Sequence, residues 1–303
     1  MRDHQEIYRI SAGYEFPWDY QRSLELALFR TYCVPSISAL LDATGEFRER
    51  PQKRYDDTAL LMAEMAEHGY DSARGREALS VVNRLHRQYD ISNDDMRYVL
   101  STFIYDPIDW IERFGWRPLA EQERLAAFHY YGEVGRRMGI RDIFTDFDEF
   151  RAFKRDYEQR TFRFSETNQR VGGYTLGLFC GWFPKPLRPA VRQAVLALLD
   201  PLMLDAFGFP PGPPWLTRLE HRGLRARAAM VRRLPPRRVS RLTSAKRNRT
   251  YRGYPTGYRP RDLGAEPQAR PQPQPQARLQ VQPQAQAEPE AQPHQRSQTP
   301  RRS

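Results

Sequence analysis

The fold class is decided by residues 72–89, Ser72-Ala-Arg-Gly-Arg-Glu-Ala-Leu-Ser-Val-Val-Asn-Arg-Leu-His-Arg-Gln-Tyr89, whose apolar residues recur every three or four positions. This spacing is that of one face of an α-helix, and Ser72 is a suitable N-cap for the first turn. We therefore predict a helix from Ala73 to Tyr89. His86 lies within its apolar face, which comprises Ala78, Leu79, Val82, Leu85 and Tyr89.

Helical periodicity continues on both sides of this stretch, whereas the alternation of β-branched residues expected of strands is nearly absent. The sequence predicts an all-α protein, a single multi-helix globular domain with about nine helices. The predicted helices include one from Pro17 to Leu41, one from Tyr55 to His68, and one that Ser92 and Asp95 open and that Pro107 kinks.

The basic charge of the chain is concentrated near its C-terminus. The formal net charge is +11, from 48 Lys and Arg against 37 Asp and Glu. From Leu216 onward there are 20 basic and 5 acidic residues, which leaves 28 basic and 32 acidic residues before that point. The helical region is therefore slightly acidic, and its composition does not indicate nucleic-acid binding.

Beyond Pro235 the helical pattern stops and Pro/Gln repeats follow, such as Pro271-Gln-Pro-Gln-Pro-Gln276. We predict a catalytic or binding domain over residues 1–235 and a disordered tail over 236–303. Residues 246–261 interleave cations with aromatics, which is compatible with binding nucleic acid or an anionic membrane, although a solubilising tail is the preferred interpretation. The basic helix over 218–238 is compatible with peripheral membrane contact.

The cellular setting is predicted from two weak signals. Cys33 and Cys180 are too few and too far apart for a secreted disulfide framework, which favours a reducing, cytoplasmic environment. The chain shows neither a signal-peptide pattern at Met1 nor about 18 consecutive apolar residues. We therefore expect a cytoplasmic protein, compatible with attachment at a membrane surface.

Several common catalytic motifs are missing from the sequence, including a P-loop, a GxSxG elbow and an HExxH zinc pair. A helical enzyme without them depends on a bound cofactor for difficult chemistry. The pair Asp56-Asp57 raises the alternative of a magnesium-dependent prenyl synthase, but the remaining carboxylate spacing does not support it. Both aspartates are equally compatible with acidic residues near a helix N-terminus.

Two histidines are candidate functional residues on the basis of the residues alone. A histidine on an apolar helix face is either hydrogen-bonded within the core or bound to a ligand, and for His86 the core interpretation is favoured at this point. His129, between Phe128 and Tyr130, is a weaker candidate of the same kind.

A group of motifs gives His86 a more specific interpretation. The run Lys53-Arg-Tyr-Asp-Asp-Thr58 is followed by Val81-Val-Asn-Arg-Leu-His86, and together they resemble the haem-binding region of MpaB-type oxygenases, whose relatives include the rubber-cleaving latex-clearing proteins. The resemblance covers roughly 29–158 and extends more loosely to 234. Its downstream motifs are Ile91-Ser-Asn-Asp-Asp-Met96, Pro107-Ile-Asp-Trp-Ile-Glu-Arg-Phe-Gly-Trp-Arg117, Gly135-Arg-Arg-Met-Gly-Ile140 and Tyr157-Glu158.

The resemblance implies an internal haem b pocket with His86 as the proximal iron ligand and with Arg54 and Thr58 near the haem and its distal side. It also implies O2 as co-substrate and a hydrophobic, prenyl- or terpenoid-like olefin as substrate, with oxidative cleavage of the double bond as the outcome. Rubber oxygenases carry a lysine where this chain has Asp57, so we expect no axial lysine. A proton-relay role for Asp57 is a further hypothesis.

The main rival from another class is a non-catalytic helical binding protein whose basic tail contacts nucleic acid or an anionic membrane. The presence of haem on the purified protein distinguishes the two hypotheses.

Overall fold

The computed structural model describes residues 3–242, 254 and 257–264. Within these residues the chain forms thirteen α-helices, one π-helical turn and two short 3-10 turns, and no strand. All of them belong to one compact unit. The prediction of a single all-α domain is therefore confirmed.

The helices follow one another with short connections. Their bounds are α1 His4–Ile10, α2 Pro17–Thr31, α3 Pro35–Ala43, α4 Glu46–Glu49, α5 Pro51–His68, α6 Ala73–His86, α7 Asn93–Phe114, α8 Glu121–Arg137, α9 Phe147–Thr161, α10 Glu166–Gly181, α11 Arg188–Leu198, α12 Pro201–Phe207 and α13 Pro214–Val231. The π-helical turn is Ser11–Glu15, and the 3-10 turns are Lys185–Leu187 and Pro260–Asp262.

The structure corrects the predicted helix from Pro17 to Leu41, which is instead the two helices α2 and α3, bent by 96°. The physical reason is Pro35, which lacks an amide hydrogen and disfavours helical geometry in the residue before it. Val34 is accordingly extended, with φ −90° and ψ 116°. Pro107, by contrast, lies inside the continuous helix α7.

The predicted N-caps are confirmed at two helices. The Ser72 hydroxyl accepts a hydrogen bond from the Gly75 amide at 2.9 Å, and the Ser92 hydroxyl accepts one from the Asp95 amide at 3.0 Å. Each satisfies an amide that the first helical turn leaves without an intrahelical partner. The helix after Ser72 is shorter than expected, because α6 ends at His86 rather than at Tyr89.

A tight hairpin joins α5 to α6. Gly69 follows α5 with φ +80°, a conformation that favours glycine. In the first turn of α6, a Cβ atom on Gly75 would lie 1.9 Å from the Gly69 carbonyl oxygen, closer than any real contact. Glycine at position 75 is therefore required for the approach of the two helices at this end.

The interior consists mainly of aromatic and aliphatic side chains in two large clusters. The first contains six buried tyrosines, among which Tyr8 stacks on Tyr130 at 4.2 Å and shares a hydroxyl–hydroxyl hydrogen bond of 2.7 Å with Tyr131. The second joins α2, α10 and α12 through Phe29, Leu176 and Phe207. Burial of this apolar surface is the main stabilising contribution to such a fold.

A network of charged side chains joins α2, α7 and α9 and the start of α12. Arg30 makes ion pairs with Asp106 at 3.3 Å, Glu158 at 3.5 Å and Asp200 at 2.5 Å, while Lys154 lies 2.8 Å from Asp106 and 2.7 Å from Glu158. Burial would lower the pKa of Arg30, but the three surrounding carboxylates raise it. Loss of one partner would leave a poorly solvated charge, so these helices depend on the complete set.

A C-terminal strap, defined here as residues 257–264, packs on α5 and α6 although it lies in the predicted tail. Leu263 is 1% exposed and belongs to the first core cluster. Tyr258 donates a hydrogen bond of 2.8 Å to Glu64, and Arg261 lies 3.1 Å from Glu77. The tail boundary at residue 235 stays a prediction, and the Pro/Gln repeats lie outside the described residues.

The helices of the described part do not include one that is both long enough and apolar enough to cross a membrane alone; α2 and α3 meet those criteria only when taken together.

Cys33 and Cys180 are free thiols.

The strap predicts a specific loss of stability. Leu263→Ala removes a buried side chain from the core and should lower the free energy of unfolding by about 2–5 kcal/mol. Leu202→Ala is the matched control, because Leu202 is 50% exposed and its replacement should change stability by less than about 0.5 kcal/mol. Denaturant unfolding of both variants measures the difference, and equal midpoints would show that the strap does not contribute to the core.

Candidate active site

The site begins with two side chains one turn apart on α5. The Arg54 guanidinium donates a hydrogen bond to the Thr58 hydroxyl, and that hydroxyl donates one of 3.0 Å to the Arg54 carbonyl oxygen. Residues four apart lie on the same face of a helix, so the two side chains are held as a pair. The structure therefore brings together two of the predicted site residues, while their proximity to a haem stays a prediction.

His86 is the last residue of α6, and its ring orientation is defined by one hydrogen bond. Nδ1 lies 2.8 Å from the Val82 carbonyl oxygen. Because a carbonyl only accepts hydrogen bonds, Nδ1 carries the hydrogen and Nε2 of the neutral ring keeps its lone pair. Within the described residues, Nε2 has no hydrogen-bond partner. This is the tautomer in which a histidine binds a metal through Nε2.

The surroundings of His86 favour its neutral form. The residue is accessible to solvent, yet desolvation by the protein lowers the pKa of its imidazole, and the Arg54 charge lowers it further. The hydrogen bond with the Val82 carbonyl oxygen opposes these two effects by raising the pKa. Because α5 packs against α6, the Arg54 charge is near enough to His86 to act on its imidazole.

Two aromatic residues complete this neighbourhood, and sequence reasoning missed both. The Arg54 guanidinium lies 5.5 Å from the centre of the Phe47 ring on α4, and the Phe47 ring meets that of Tyr32 edge-on at 5.2 Å. Burial raises the pKa of Tyr32 to about 12, while the Arg54 charge opposes the shift. Nothing in the sequence distinguishes Tyr32 and Phe47 from ordinary core aromatics.

Asp57 has other partners. Its carboxylate lies 2.5 Å from Lys53 Nζ and accepts a hydrogen bond of 2.7 Å from the Tyr254 hydroxyl. Lys53 in turn donates to the Gly264 carbonyl oxygen of the strap at 2.9 Å. In the described part of the chain no hydrogen bond or ion pair joins Asp57 to Arg54, Thr58 or His86. The contacts thus assign Asp57 to the attachment of the C-terminal segment, and its proton-relay role stays a prediction.

The geometry also bears on the magnesium alternative. Lys53 neutralises the Asp57 carboxylate, so a cationic group already lies where a metal ion would bind. Asp56 accepts a hydrogen bond of 3.2 Å from Gln52. Residues 3–242, 254 and 257–264 contain no group of three or more His, Cys, Asp or Glu side chains arranged to hold a metal ion by themselves.

The other candidate histidine lies elsewhere. His129 is exposed on α8, and its ring centre is 6.2 Å from that of His4. No contact among the described residues connects it to Arg54 or His86. The structure therefore does not bring His129 into the candidate site.

Most of the downstream motifs hold the fold together. Tyr157 donates a hydrogen bond of 2.6 Å to Asp95, and Glu158 belongs to the buried charge network. A Cβ atom on Gly135 would lie 2.6 Å from a Leu100 methyl carbon, so this glycine allows α8 to approach α7 closely. Only the first two motifs contribute side chains to the candidate site.

Comparison with known proteins identifies the class. The family described as "ER-bound oxygenase mpaB/B'/Rubber oxygenase, catalytic domain" matches residues 25–233, which is more than half of the chain. This chain belongs to that family of oxygenases.

Three relatives are similar over part of their length. ER-bound oxygenase mpaB of Penicillium roqueforti is 30% identical over 213 residues, which cover 64% of this chain and 72% of the relative. ER-bound oxygenase mpaB' of Penicillium brevicompactum is 30% identical over 69% of this chain and 54% of the relative. ER-bound oxygenase mpaB of Penicillium brevicompactum is 38% identical over 44% of this chain and 36% of the relative.

The proximity of Arg54 to His86 predicts a change in titration. Arg54→Gln removes a positive charge that disfavours the imidazolium, so the pKa of His86 should rise in the protein without added cofactor. NMR titration of the His86 ring measures this. Arg84→Gln, an exposed cation on the same helix, should leave the pKa where it is. A pKa unchanged in Arg54→Gln, or raised equally by both variants, would contradict the site geometry.

Proposed function

We propose that this member of the oxygenase family is a haem b-dependent enzyme that uses O2 to oxidise a hydrophobic, prenyl- or terpenoid-like olefin. His86 is the proposed proximal iron ligand, and oxidative cleavage of the carbon–carbon double bond is the proposed reaction. The observation that carries the proposal is the His86 tautomer, which presents an unprotonated Nε2 in the neighbourhood of Arg54.

The chemistry of His86 fits a haem iron. An axial ligand must be the neutral imidazole, and desolvation together with the Arg54 charge favours that form by lowering the pKa. The hydrogen bond from Nδ1 to Val82 fixes the ring and increases the basicity of Nε2. A porphyrin supplies four nitrogen ligands, so one histidine is a sufficient protein ligand.

Arg54 fits the anionic edge of the same cofactor. It is partly buried and makes no ion pair with a carboxylate among the described residues, although it donates to Thr58. A guanidinium has five N–H donors, so several remain for a propionate or for a polar oxygen ligand. Thr58 fixes the position of Arg54 and adds a hydroxyl on the same side of α5.

The aromatic side chains near Arg54 support an apolar substrate. Phe47 and Tyr32 are buried next to Arg54, so the side chains around the guanidinium are apolar, which favours a hydrophobic ligand over a polar one. Haem supplies activation of O2 when bound, while the chain binds the olefin and excludes water. The relatives named above are described as oxygenases, and no observation favours a non-catalytic binding protein over this proposal. The cytoplasmic setting stays a prediction.

Visible spectroscopy tests the cofactor. The full-length protein, purified with added haem, should show a Soret band at about one haem per chain, and His86→Ala should lose most of it because the proposed axial ligand is gone. His129→Ala is the matched control, and its spectrum should equal that of the unaltered protein. Added imidazole should restore a Soret band to His86→Ala.

A spectrum unchanged in His86→Ala, or lost equally in His129→Ala, would refute His86 as the ligand. Circular dichroism of the variants separates loss of haem from loss of the fold, which is expected to persist because His86 is accessible.

Oxygen uptake tests the reaction. The haem-loaded protein should consume O2 with linear terpenoid olefins and form carbonyl products that mass spectrometry identifies. Thr58→Val keeps the side-chain shape but removes the hydroxyl that holds Arg54, so O2 uptake should fall roughly tenfold or more while the haem content is retained. Hydroxylated products in place of carbonyls would exclude cleavage, and uptake equal to the unaltered protein would exclude a role for Thr58.

A further inference from the structure

The outward face of α13 carries an unusual combination of side chains. Four large apolar residues are at least half exposed, with Trp215 at 63% and Leu219 at 56%, joined near the end of the helix by Met230 and Leu234. Five exposed arginines lie on the same stretch: Arg218, Arg222, Arg225, Arg232 and Arg233. None of these arginines makes an ion pair with a described residue, so the surface is both basic and apolar.

The α13 segment itself carries almost no acidic charge. Glu220 is the single acidic residue between positions 214 and 242, and its Oε2 atom is buried. Burial raises the pKa of Glu220 to about 7. The α13 segment therefore places no exposed carboxylate on its outward face that would neutralise the arginines.

The opposite face of α13 is held firmly against the domain. Arg227 reaches Asp19 through two hydrogen bonds of 3.0 and 3.3 Å, and its guanidinium lies 3.8 Å from the centre of the Trp18 ring. Trp110 also donates to Asp19, at 3.3 Å. These contacts fix the rotation of α13 about its axis, so the basic and apolar face is directed away from the core.

We propose that α13 lies along the surface of an anionic lipid bilayer and attaches the domain to it peripherally. Trp215 and Leu219 are one turn apart in the first half of α13, while Met230 lies in its last turn and Leu234 just beyond it, so apolar side chains insert at both ends. The arginines between them remain at the level of the lipid phosphates while their aliphatic parts cover apolar surface. Positive charge matches an anionic headgroup layer, which nucleic acid also presents, but exposed Trp, Leu and Met favour the lipid.

Vesicle sedimentation of the full-length protein tests the proposal. The protein should pellet with phosphatidylcholine vesicles that contain phosphatidylglycerol, but not with phosphatidylcholine alone, and high salt should release it. The double variant Trp215→Ser/Leu219→Ser should pellet much less with the anionic vesicles, because it lacks two of the side chains that insert into the bilayer. Arg222→Gln/Arg225→Gln should weaken binding by roughly tenfold or more, since each arginine contributes separately near an anionic surface.

Matched controls use exposed residues elsewhere on the domain. Leu202→Ser and Arg124→Gln, on α12 and α8, should bind vesicles like the unaltered protein. Equal binding by both α13 variants and the controls would overturn the proposal, because attachment would then depend on another part of the chain. Absence of binding to anionic vesicles, or equal binding to neutral ones, would overturn it too. Duplex DNA that displaces the protein from vesicles and binds it more tightly would assign the surface to nucleic acid instead.

Discussion

The close approach of α5 and α6 is the constraint on which the candidate site depends. Gly75 lets α6 begin against the Gly69 carbonyl oxygen, where any side chain would collide. From that fixed end, α5 extends back to Arg54 and α6 extends forward to His86. The distance between guanidinium and imidazole is therefore set by backbone packing about three to four turns away, in addition to contacts at the site itself.

The family motifs divide into two physical roles. The motifs that contain Arg54, Thr58 and His86 supply polar groups that have few partners within the protein. The downstream motifs supply charges whose partners are other side chains, such as Glu158 with Lys154. Buried ion pairs seldom add much net stability, but an incomplete set is strongly destabilising, so these residues are needed for the fold.

Sequence reasoning succeeded where the cause was local. The hydroxyls of Ser72 and Ser92 define helix starts because their partners are three residues away, and the fold class follows from periodicity. It was wrong at Pro35, where the restriction on the preceding residue ends one helix and starts another. The position of Tyr32 beside the candidate site and the burial of Leu263 in the first core cluster depend on packing between segments that are distant in sequence. No short sequence pattern encodes such packing.

The position of Leu263 has a consequence for how the protein matures. The ribosome completes α6 about 180 residues before Leu263, so the strap reaches the α5–α6 hairpin only after that further length has been made. At ordinary elongation rates this interval is on the order of ten to thirty seconds. During that time the newly made hairpin lacks its final covering segment, and the apolar surface that Leu263 later buries is open to solvent.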